Sequence, residues 1–235
     1  MGSKAAGLLL LFLLPAQDDK AADEAIERFK TTYRSPDPLA RSLAATELSK
    51  VPHEKTMKVL IPLLTGDVGK VREAAAKGLG DFVDYKKVVT PMMIAALSSP
   101  ANAKELDVRC AILTGLGKLK DPNAVDAIHR AFRDESVKVA KAAIAAAGDM
   151  RFKESMDVLL ELQRDVQKWI KAKQSGGYRD DKGQLGDEGQ QKARLEDLQR
   201  TIIKGFQTIT KEKWVTAQEW EIWWSRKRAT FEVPK

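Results

Sequence analysis

The sequence has few of the residues from which catalytic and metal sites are built. Its 235 residues include one cysteine and two histidines. Neither His53 nor His129 has a cysteine or a second histidine at the spacing of a metal site. The sequence also lacks a glycine-rich phosphate loop and a nucleophile elbow around a serine. We therefore predict a protein that is not an enzyme and that uses no metal or other cofactor.

The single cysteine, Cys110, excludes an intramolecular disulfide. It occurs in the apolar segment Val108–Leu113, and we predict a buried structural thiol there.

A long apolar run is absent as well. The apolar stretch from Ala5 to Leu14 has about ten residues, whereas a membrane-spanning helix needs about 20. This stretch follows Lys4 and ends at Pro15-Ala16, before a polar segment. A basic start, a short apolar stretch and a small residue predict a signal peptide over residues 1–16 that is cleaved after Ala16. We expect export to the periplasm or the medium; the alternative is a buried N-terminal helical turn.

The composition indicates an all-α protein. Alanine, leucine, lysine and glutamate dominate, and runs of β-branched residues bounded by turns are scarce. Hydrophobic residues make up 43% of the chain and charged residues 31%, as in soluble globular domains. The net charge of +7 permits an acidic partner but does not require one.

An internal repeat organises the middle of the chain. Four segments of ten residues align without gaps, and their first residues are 31, 37 and 31 positions apart: Ala40–Ser49, Val71–Gly80, Val108–Gly117 and Val139–Gly148. The longer interval contains the segment Ser98–Asn102, so one insertion of six residues explains the irregular spacing.

Each aligned segment has the apolar periodicity of a helix and is rich in alanine, which lets stacked helices approach closely. We predict that Gly80, Gly117 and Gly148 end these helices as C-cap residues. A further helix precedes each segment, and Pro62 and Pro91 are expected to kink two of these. The apolar stripes predicted for the preceding helices are Met57, Leu60, Leu63 and Leu64; Val88, Met92 and Leu97; and Val125, Ile128 and Phe132.

The pattern of a helix, a turn with Asp, and then Val-Arg-x-x-Ala-x-x-x-Leu-Gly resembles the HEAT repeat, including the proline in the first helix. This resemblance implies an all-α fold in which helix pairs stack into a right-handed α-α superhelix, a HEAT/armadillo-like solenoid. Residues 21–172 are predicted to form this solenoid, as four pairs over 21–149 and a fifth first-type helix over 153–171.

Two further regions follow the predicted solenoid. Residues 173–190 are polar and are expected to form a loop, and residues 191–235 are expected to form a helical cap. Within the cap, Trp220, Trp223 and Trp224 have the spacing of one helix face. They either seal the end of the solenoid or form an exposed aromatic platform. Similar Trp-rich tails occur in exported bacterial HEAT-repeat proteins.

Basic residues recur in the aligned segments. Arg41, Arg72 and Arg109 occupy the same position, so that each either pairs with a turn acid such as Asp37 or Asp67 or contributes to a basic groove. The resemblance places the second helix of each pair on the concave surface, and the candidate binding residues there are Lys70, Arg72, Lys77, Arg109, Lys138 and Lys141.

Two binding functions remain open at this point. The first is a scaffold that binds a protein or peptide on the concave face, and the alternative is binding of an anionic polymer, either nucleic acid or acidic polysaccharide. Enzymatic HEAT-like proteins fit less well. The iron hydroxylases use several His-Glu motifs, of which only His53-Glu54 is present, and the DNA glycosylases carry aromatic residues in the groove rather than at the C-terminus.

Overall fold

The computed structural model describes residues 14–172 and 187–234, and this part of the chain folds into helices without a β-strand. The all-α class predicted from the sequence is confirmed. The chain divides into two units, one up to Gly115 and one from Leu116. The division falls inside helix α7, which runs from Leu106 to Leu119.

The first unit is built from helices that pack along the sequence. They are α1 (Leu14–Tyr33), α2 (Pro38–Ser49), α3 (Glu54–Leu60), α4 (Leu63–Gly66), α5 (Gly69–Leu79), α6 (Lys86–Leu97) and most of α7 (Leu106–Leu119). Helix α2 packs against both α1 and α5, and α4 packs against α5 and α6. The core of this unit contains the buried side chains of Leu48, Leu60, Leu79, Phe82 and Met93.

The second unit contains the end of α7 and five further helices: α8 (Val125–Ala131), α9 (Val137–Met150), α10 (Ser155–Ala172), α11 (Asp187–Thr210) and α12 (Ala217–Lys227). Helix α11 packs against α9 and α10, and α12 packs against α10. Ile144, Leu159, Ile202, Phe206 and Trp220 are buried in the core of this unit.

Several helix ends follow the local signals in the sequence. The carboxylate of Asp37 caps α2 by accepting a hydrogen bond from the backbone N–H of Leu39, and Pro38 is the first helical residue. Pro62 separates α3 from α4, as expected for a residue that lacks the backbone donor. Pro91 lies inside α6, which continues across it.

The prediction that glycines end the repeated helices is wrong at two of three positions. Gly80 directly follows α5, although with a right-handed φ of −61°, but α7 and α9 continue past Gly117 and Gly148. The residues after these two helices, Lys120 and Arg151, adopt the left-handed conformation with φ of 49° and 57°. The two glycines instead permit close helix contacts.

Gly117 shows this close approach most clearly. A Cβ atom at this position would lie 2.9 Å from the Cα of Ala146 and 3.1 Å from its carbonyl oxygen. We expect Gly117→Ala to lower the free energy of unfolding by about 1–2 kcal/mol, because the overpacking outweighs the better helix propensity of alanine. The control is Gly66→Ala, where the Cβ would have no neighbour within 4 Å. Urea unfolding followed by circular dichroism measures both, and an equal effect at the two positions would contradict the close-packing role.

The stripe predicted for α6 is also wrong in register. Val88 and Met92 are exposed, whereas Val89, Met93 and Ala96 are buried. The segment contains the adjacent pairs Val88-Val89 and Met92-Met93, so that two faces of the helix are equally apolar in the sequence. The neighbouring helices of the unit bury one of these faces, and the end of the Met93 side chain lies beside Gly115 on α7. The stripe predicted for α3 and α4 is confirmed, since Met57, Leu60, Leu63 and Leu64 are all buried.

The predicted domain boundaries can be compared with the helices only in part. Residues 1–13 of the predicted signal peptide and residues 173–186 of the predicted loop lie outside the described residues. Helix α1 begins at Leu14, within the segment predicted to be cleaved, and α11 begins at Asp187, within the predicted loop. The fifth first-type helix predicted over 153–171 corresponds to α10, Ser155–Ala172.

Candidate functional site

The guanidinium group of Arg41 is bound within the first unit. It donates to both carboxylate oxygens of Asp67, over 2.9 and 3.0 Å, and to the backbone carbonyls of Ser35 and Pro36. The side chains of Arg41 and Asp67 are only 16% and 9% exposed. The hydroxyl of Tyr33 donates to the same carboxylate. This arginine therefore connects its own repeat to the turn before the next second helix.

The network fixes the charges of its members. The hydrogen bond from Arg41 lowers the pKa of Asp67 to about 2. Burial, together with the hydrogen bond to Asp67, raises the pKa of Tyr33 to about 12. At neutral pH the site thus contains a charged aspartate, a charged arginine and a neutral tyrosine, which suits a structural ion pair.

Arg72 is held in a similar way, but its hydrogen bonds go to neutral acceptors, the carbonyl of Ala101 and the amide of Asn102. Its guanidinium donates to Oδ1 of Asn102 over 2.9 Å and lies 3.7 Å from the carboxylate of Glu105. Asn102 is fully buried, and its Nδ2 donates to the carbonyls of Leu64 and Ala96 over 3.0 and 2.9 Å. The inserted segment is therefore tied into the first unit by a satisfied buried amide. Arg109, the third arginine at this position of the aligned segments, is half-buried.

The sequence-predicted lysines differ in their surroundings. In the first unit, Lys70 is exposed and makes no ion pair among the described residues, whereas Lys77 pairs with Glu73 at 2.5 Å. In the second unit, Lys138 is exposed and Lys141 pairs with Asp197 at 2.5 Å. Carboxylates thus offset part of the positive charge on these helices, which reduces the potential of a basic groove.

Sequence reasoning missed two exposed leucines on α2, the helix that contains the first aligned segment. Leu39 and Leu43 lie one helical turn apart on α2 and are 56% and 54% exposed. With the repeat spacing of 31, they occupy the register positions of Lys70 and Ala74 on α5, the helix against which α2 packs. The alignment contained the signal, because Leu43 stands where the other segments have alanine. We call Leu39, Leu43, Lys70 and Lys77 the α2–α5 surface.

The three tryptophans of α12 are in contact with one another but differ in burial. Trp220 and Trp224 are buried, and Trp223 is half-buried. The ring of Trp220 lies 5.0 Å from that of Phe206 on α11, and the indole N–H of Trp224 donates to Asp157 on α10 over 2.8 Å. These two tryptophans therefore attach α12 to the helices before it.

Two other tryptophans of this unit are on the surface. Trp169 on α10 is 46% exposed, and Trp214, which precedes α12, is 39% exposed. The second unit thus contains buried tryptophans, Trp220 and Trp224, and exposed ones, Trp169 and Trp214.

The histidines and the cysteine have structural surroundings. His53 caps α3, because its Nδ1 accepts from the backbone N–H of Lys55. Nε2 of His129 lies 2.9 Å from Oγ of Ser155, but this serine is buried and cannot reach a substrate, and burial lowers the pKa of His129. Cys110 is half-buried rather than buried as predicted, since its register position carries polar residues in the other segments.

The described residues contain neither a metal-binding cluster nor a membrane-spanning helix. No group of three or more His, Cys, Asp or Glu side chains there could hold a metal ion. None of the helices described is both long and apolar enough to cross a membrane.

Comparison with known proteins connects these features to a family. Residues 90–174, from within α6 to the end of α10 and just beyond, match the family model described as HEAT repeats. This match fits the resemblance to the HEAT repeat that the Val-Arg segments indicate. HEAT repeats commonly serve as protein-interaction scaffolds, and the family is generally non-enzymatic. Two of the four aligned segments, Val108–Gly117 and Val139–Gly148, lie within the matched residues.

Other comparisons add little. No curated protein matches the chain. One solved structure, described as the crystal structure of an engineered protein, is 16% identical and covers 75% of this chain and 78% of its own, with a TM-score of 0.35. A similarity of this size does not support an argument about function.

Proposed function

We propose that the protein is an exported, non-enzymatic HEAT-repeat scaffold that binds a partner protein through the α2–α5 surface. The observation that carries the proposal is the exposure of Leu39 and Leu43 on a second helix of the repeats. The proposal of export is supported by the sequence of residues 1–16.

The two leucines suit the centre of an interface. They lie on one side of α2. Full burial of a leucine side chain stabilises a complex by about 1.5–3 kcal/mol, and roughly half of this is still available when a half-exposed leucine becomes buried on binding. Lys70 and Lys77 lie on the neighbouring helix α5, where charges affect the association rate and the choice of partner. Apolar anchors beside polar residues are the usual composition of a protein-binding patch.

Binding of an anionic polymer has less support. Its mark would be a continuous array of unpaired cations, whereas Lys77 and Lys141 are each paired with a carboxylate and Arg41 and Arg72 are bound internally. A polymer would also leave the exposed leucines without an apolar contact. Affinity that falls steeply with salt, and that does not depend on Leu39 and Leu43, would favour the polymer instead.

The test compares two exposed apolar pairs of the same unit. A partner is first recovered from the exported fraction, and its affinity is then measured by calorimetry for Leu39→Asp/Leu43→Asp and for Val88→Asp/Met92→Asp. The control pair has the same spacing and similar exposure, 49% and 42%, but lies on the first-type helix α6. We expect the leucine variant to weaken binding by about 100-fold or more, because two buried aspartates replace two apolar anchors.

The control variant is expected to bind with nearly the wild-type affinity. Thermal unfolding of both variants confirms that they fold. Equal affinity of the leucine variant and the wild type, or a loss confined to the α6 variant, would contradict the proposed surface.

A further inference from the structure

The second unit has a shallow pocket beside α12 that the proposed function does not use. It is lined by Trp214, Glu219, Ile222, Trp223, Arg226 and Lys227, and we call it the C-terminal pocket. Its lining is mainly apolar, since Trp214 and Ile222 are 39% and 44% exposed and the half-buried Trp223 contributes to the same lining. Apolar concavities with a few polar groups are typical of binding sites.

The walls of the pocket are held in place by contacts behind them. The backbone carbonyl of Trp214 accepts two hydrogen bonds of 3.1 Å, from Nε2 of Gln207 and from the indole N–H of Trp220. The ring of Trp223 meets Trp220 and Phe231 edge-on, with centroid distances of 5.7 and 5.4 Å. A ligand would therefore meet preformed walls, which reduces the entropy lost on binding.

The charge of the pocket is unbalanced. Arg226 and Lys227 are exposed and make no side-chain hydrogen bond or ion pair among the residues that the structure describes. The carboxylate in the lining, Glu219, is committed to the start of α12. Its Oε2 accepts from the backbone N–H groups of Thr216 and Val215, over 2.8 and 3.2 Å, and from the hydroxyl of Thr216 over 2.7 Å.

The remaining polar groups of the lining are donors. The indole N–H groups of Trp214 and Trp223 hold no hydrogen bond within the described part of the chain, and the cationic groups of Arg226 and Lys227 are likewise available. Donors around an apolar concavity select a ligand that brings acceptors and an apolar group together. A peptide with carboxylates next to an apolar side chain meets this requirement.

We propose that the C-terminal pocket binds an acidic peptide segment of a partner protein. One apolar side chain of the peptide inserts between Trp214, Ile222 and Trp223, and neighbouring carboxylates pair with Arg226 and Lys227. A concave surface favours an inserted side chain over a lipid bilayer, because membrane-binding aromatic residues must protrude to enter the interface. This pocket lies on the second unit, so the proposal does not depend on the α2–α5 surface.

The test uses three fluorescein-labelled peptides and two protein variants. The first peptide has one leucine flanked by aspartates, the second has asparagines in place of the aspartates, and the third has alanine in place of the leucine. Fluorescence anisotropy at low salt measures their affinities. The variants are Arg226→Glu/Lys227→Glu and the control Arg130→Glu/Lys204→Glu, which makes the same change of charge at exposed cations elsewhere in the second unit. Arg130, like Arg226, lies in the last turn of its helix.

The expected result is binding of the acidic leucine peptide that weakens about tenfold or more in Arg226→Glu/Lys227→Glu and less than about threefold in the control. Both altered peptides should bind at least about tenfold more weakly than the first. The Leu39→Asp/Leu43→Asp variant should bind the first peptide like the wild type, so that failure at one surface is distinguishable from failure at the other.

Three results would overturn the proposal. They are the absence of binding by the acidic leucine peptide, equal losses in the pocket variant and the control, and equal affinity for the leucine and alanine peptides. A parallel sedimentation assay with vesicles that contain phosphatidylserine addresses the membrane. Vesicle binding that depends on Arg226 and Lys227, without peptide binding, would assign the pocket to an anionic lipid surface instead.

Discussion

Asp67→Ala is expected to lower the free energy of unfolding by about 3–5 kcal/mol, the cost of breaking a buried ion pair on one side. The substitution leaves the guanidinium of Arg41, which is 16% exposed, without its counter-charge. It also removes the acceptor of the Tyr33 hydroxyl. Equilibrium unfolding in urea measures the loss of free energy. A separate transition of the first unit would show that the two units do not unfold together.

The matched control is Asp23→Ala. Asp23 pairs with Lys55 at 2.8 Å, but the two side chains are 60% and 41% exposed. An exposed pair contributes about 0–1 kcal/mol, so the control should unfold almost like the wild type. Similar losses for the two variants would show that Asp67 does not join the repeats through a buried pair.

The same network predicts a dependence of stability on pH. The pKa of Asp67 is lowered from 3.8 to about 2, so its contribution is complete above about pH 4 and is lost as the pH falls towards 2. The pKa of Tyr33 is raised from 10.0 to about 12, so its contribution is present below pH 10 and is lost as the pH rises towards 12. The Asp67→Ala variant should therefore lose less stability than the wild type between pH 4 and 2.

The second large effect concerns the aromatic contact of the second unit. Trp220→Ala should lower the free energy of unfolding by about 3–5 kcal/mol, because it removes a fully buried indole from the core. The ring lies 5.0 Å from Phe206, and its N–H holds the carbonyl of Trp214. Loss of this side chain should thus detach α12 from α11 and widen the C-terminal pocket.

Trp169→Ala serves as the control for Trp220→Ala. Trp169 is 46% exposed on α10, and its removal should cost no more than about 1 kcal/mol. Urea unfolding of both variants gives the comparison, and limited proteolysis shows whether the segment from Trp214 is released first. A Trp220 variant as stable as the Trp169 variant would contradict the buried contact.

Much of the fold could be predicted from the sequence because the repeat supplies the same information several times. The Val-Arg segments located the second helices, and two helices start after Asp37 and Thr216, side chains that are typical of helix N-caps. Two of the aligned glycines, Gly117 and Gly148, were assigned the wrong role, since a C-cap and a close helix contact both favour glycine. Which of the two applies depends on the neighbouring helix, and the sequence of one helix does not contain that neighbour.

The surfaces were harder to predict for a similar reason. Val88 and Val89 are identical in chemistry, and the arrangement of the neighbouring helices decides which of them is buried. The arginine positions were evident, but the partner of Arg72 is Asn102 in the insertion, which has no counterpart in the other segments. Helical spacing grouped Trp220, Trp223 and Trp224, but it does not contain the partners of the two buried rings on other helices, which are Phe206 for Trp220 and Asp157 for Trp224.

The central claim is that a partner protein binds the second helices of the first unit. Hydrogen–deuterium exchange of the complex tests it most directly, because α2, α5 and α6 give separate peptides. We expect slower amide exchange in Pro38–Ser49 and Gly69–Leu79 when the partner is bound, with little change in Lys86–Leu97. Protection that is confined to Lys86–Leu97, or that leaves α2 and α5 unchanged, would contradict it.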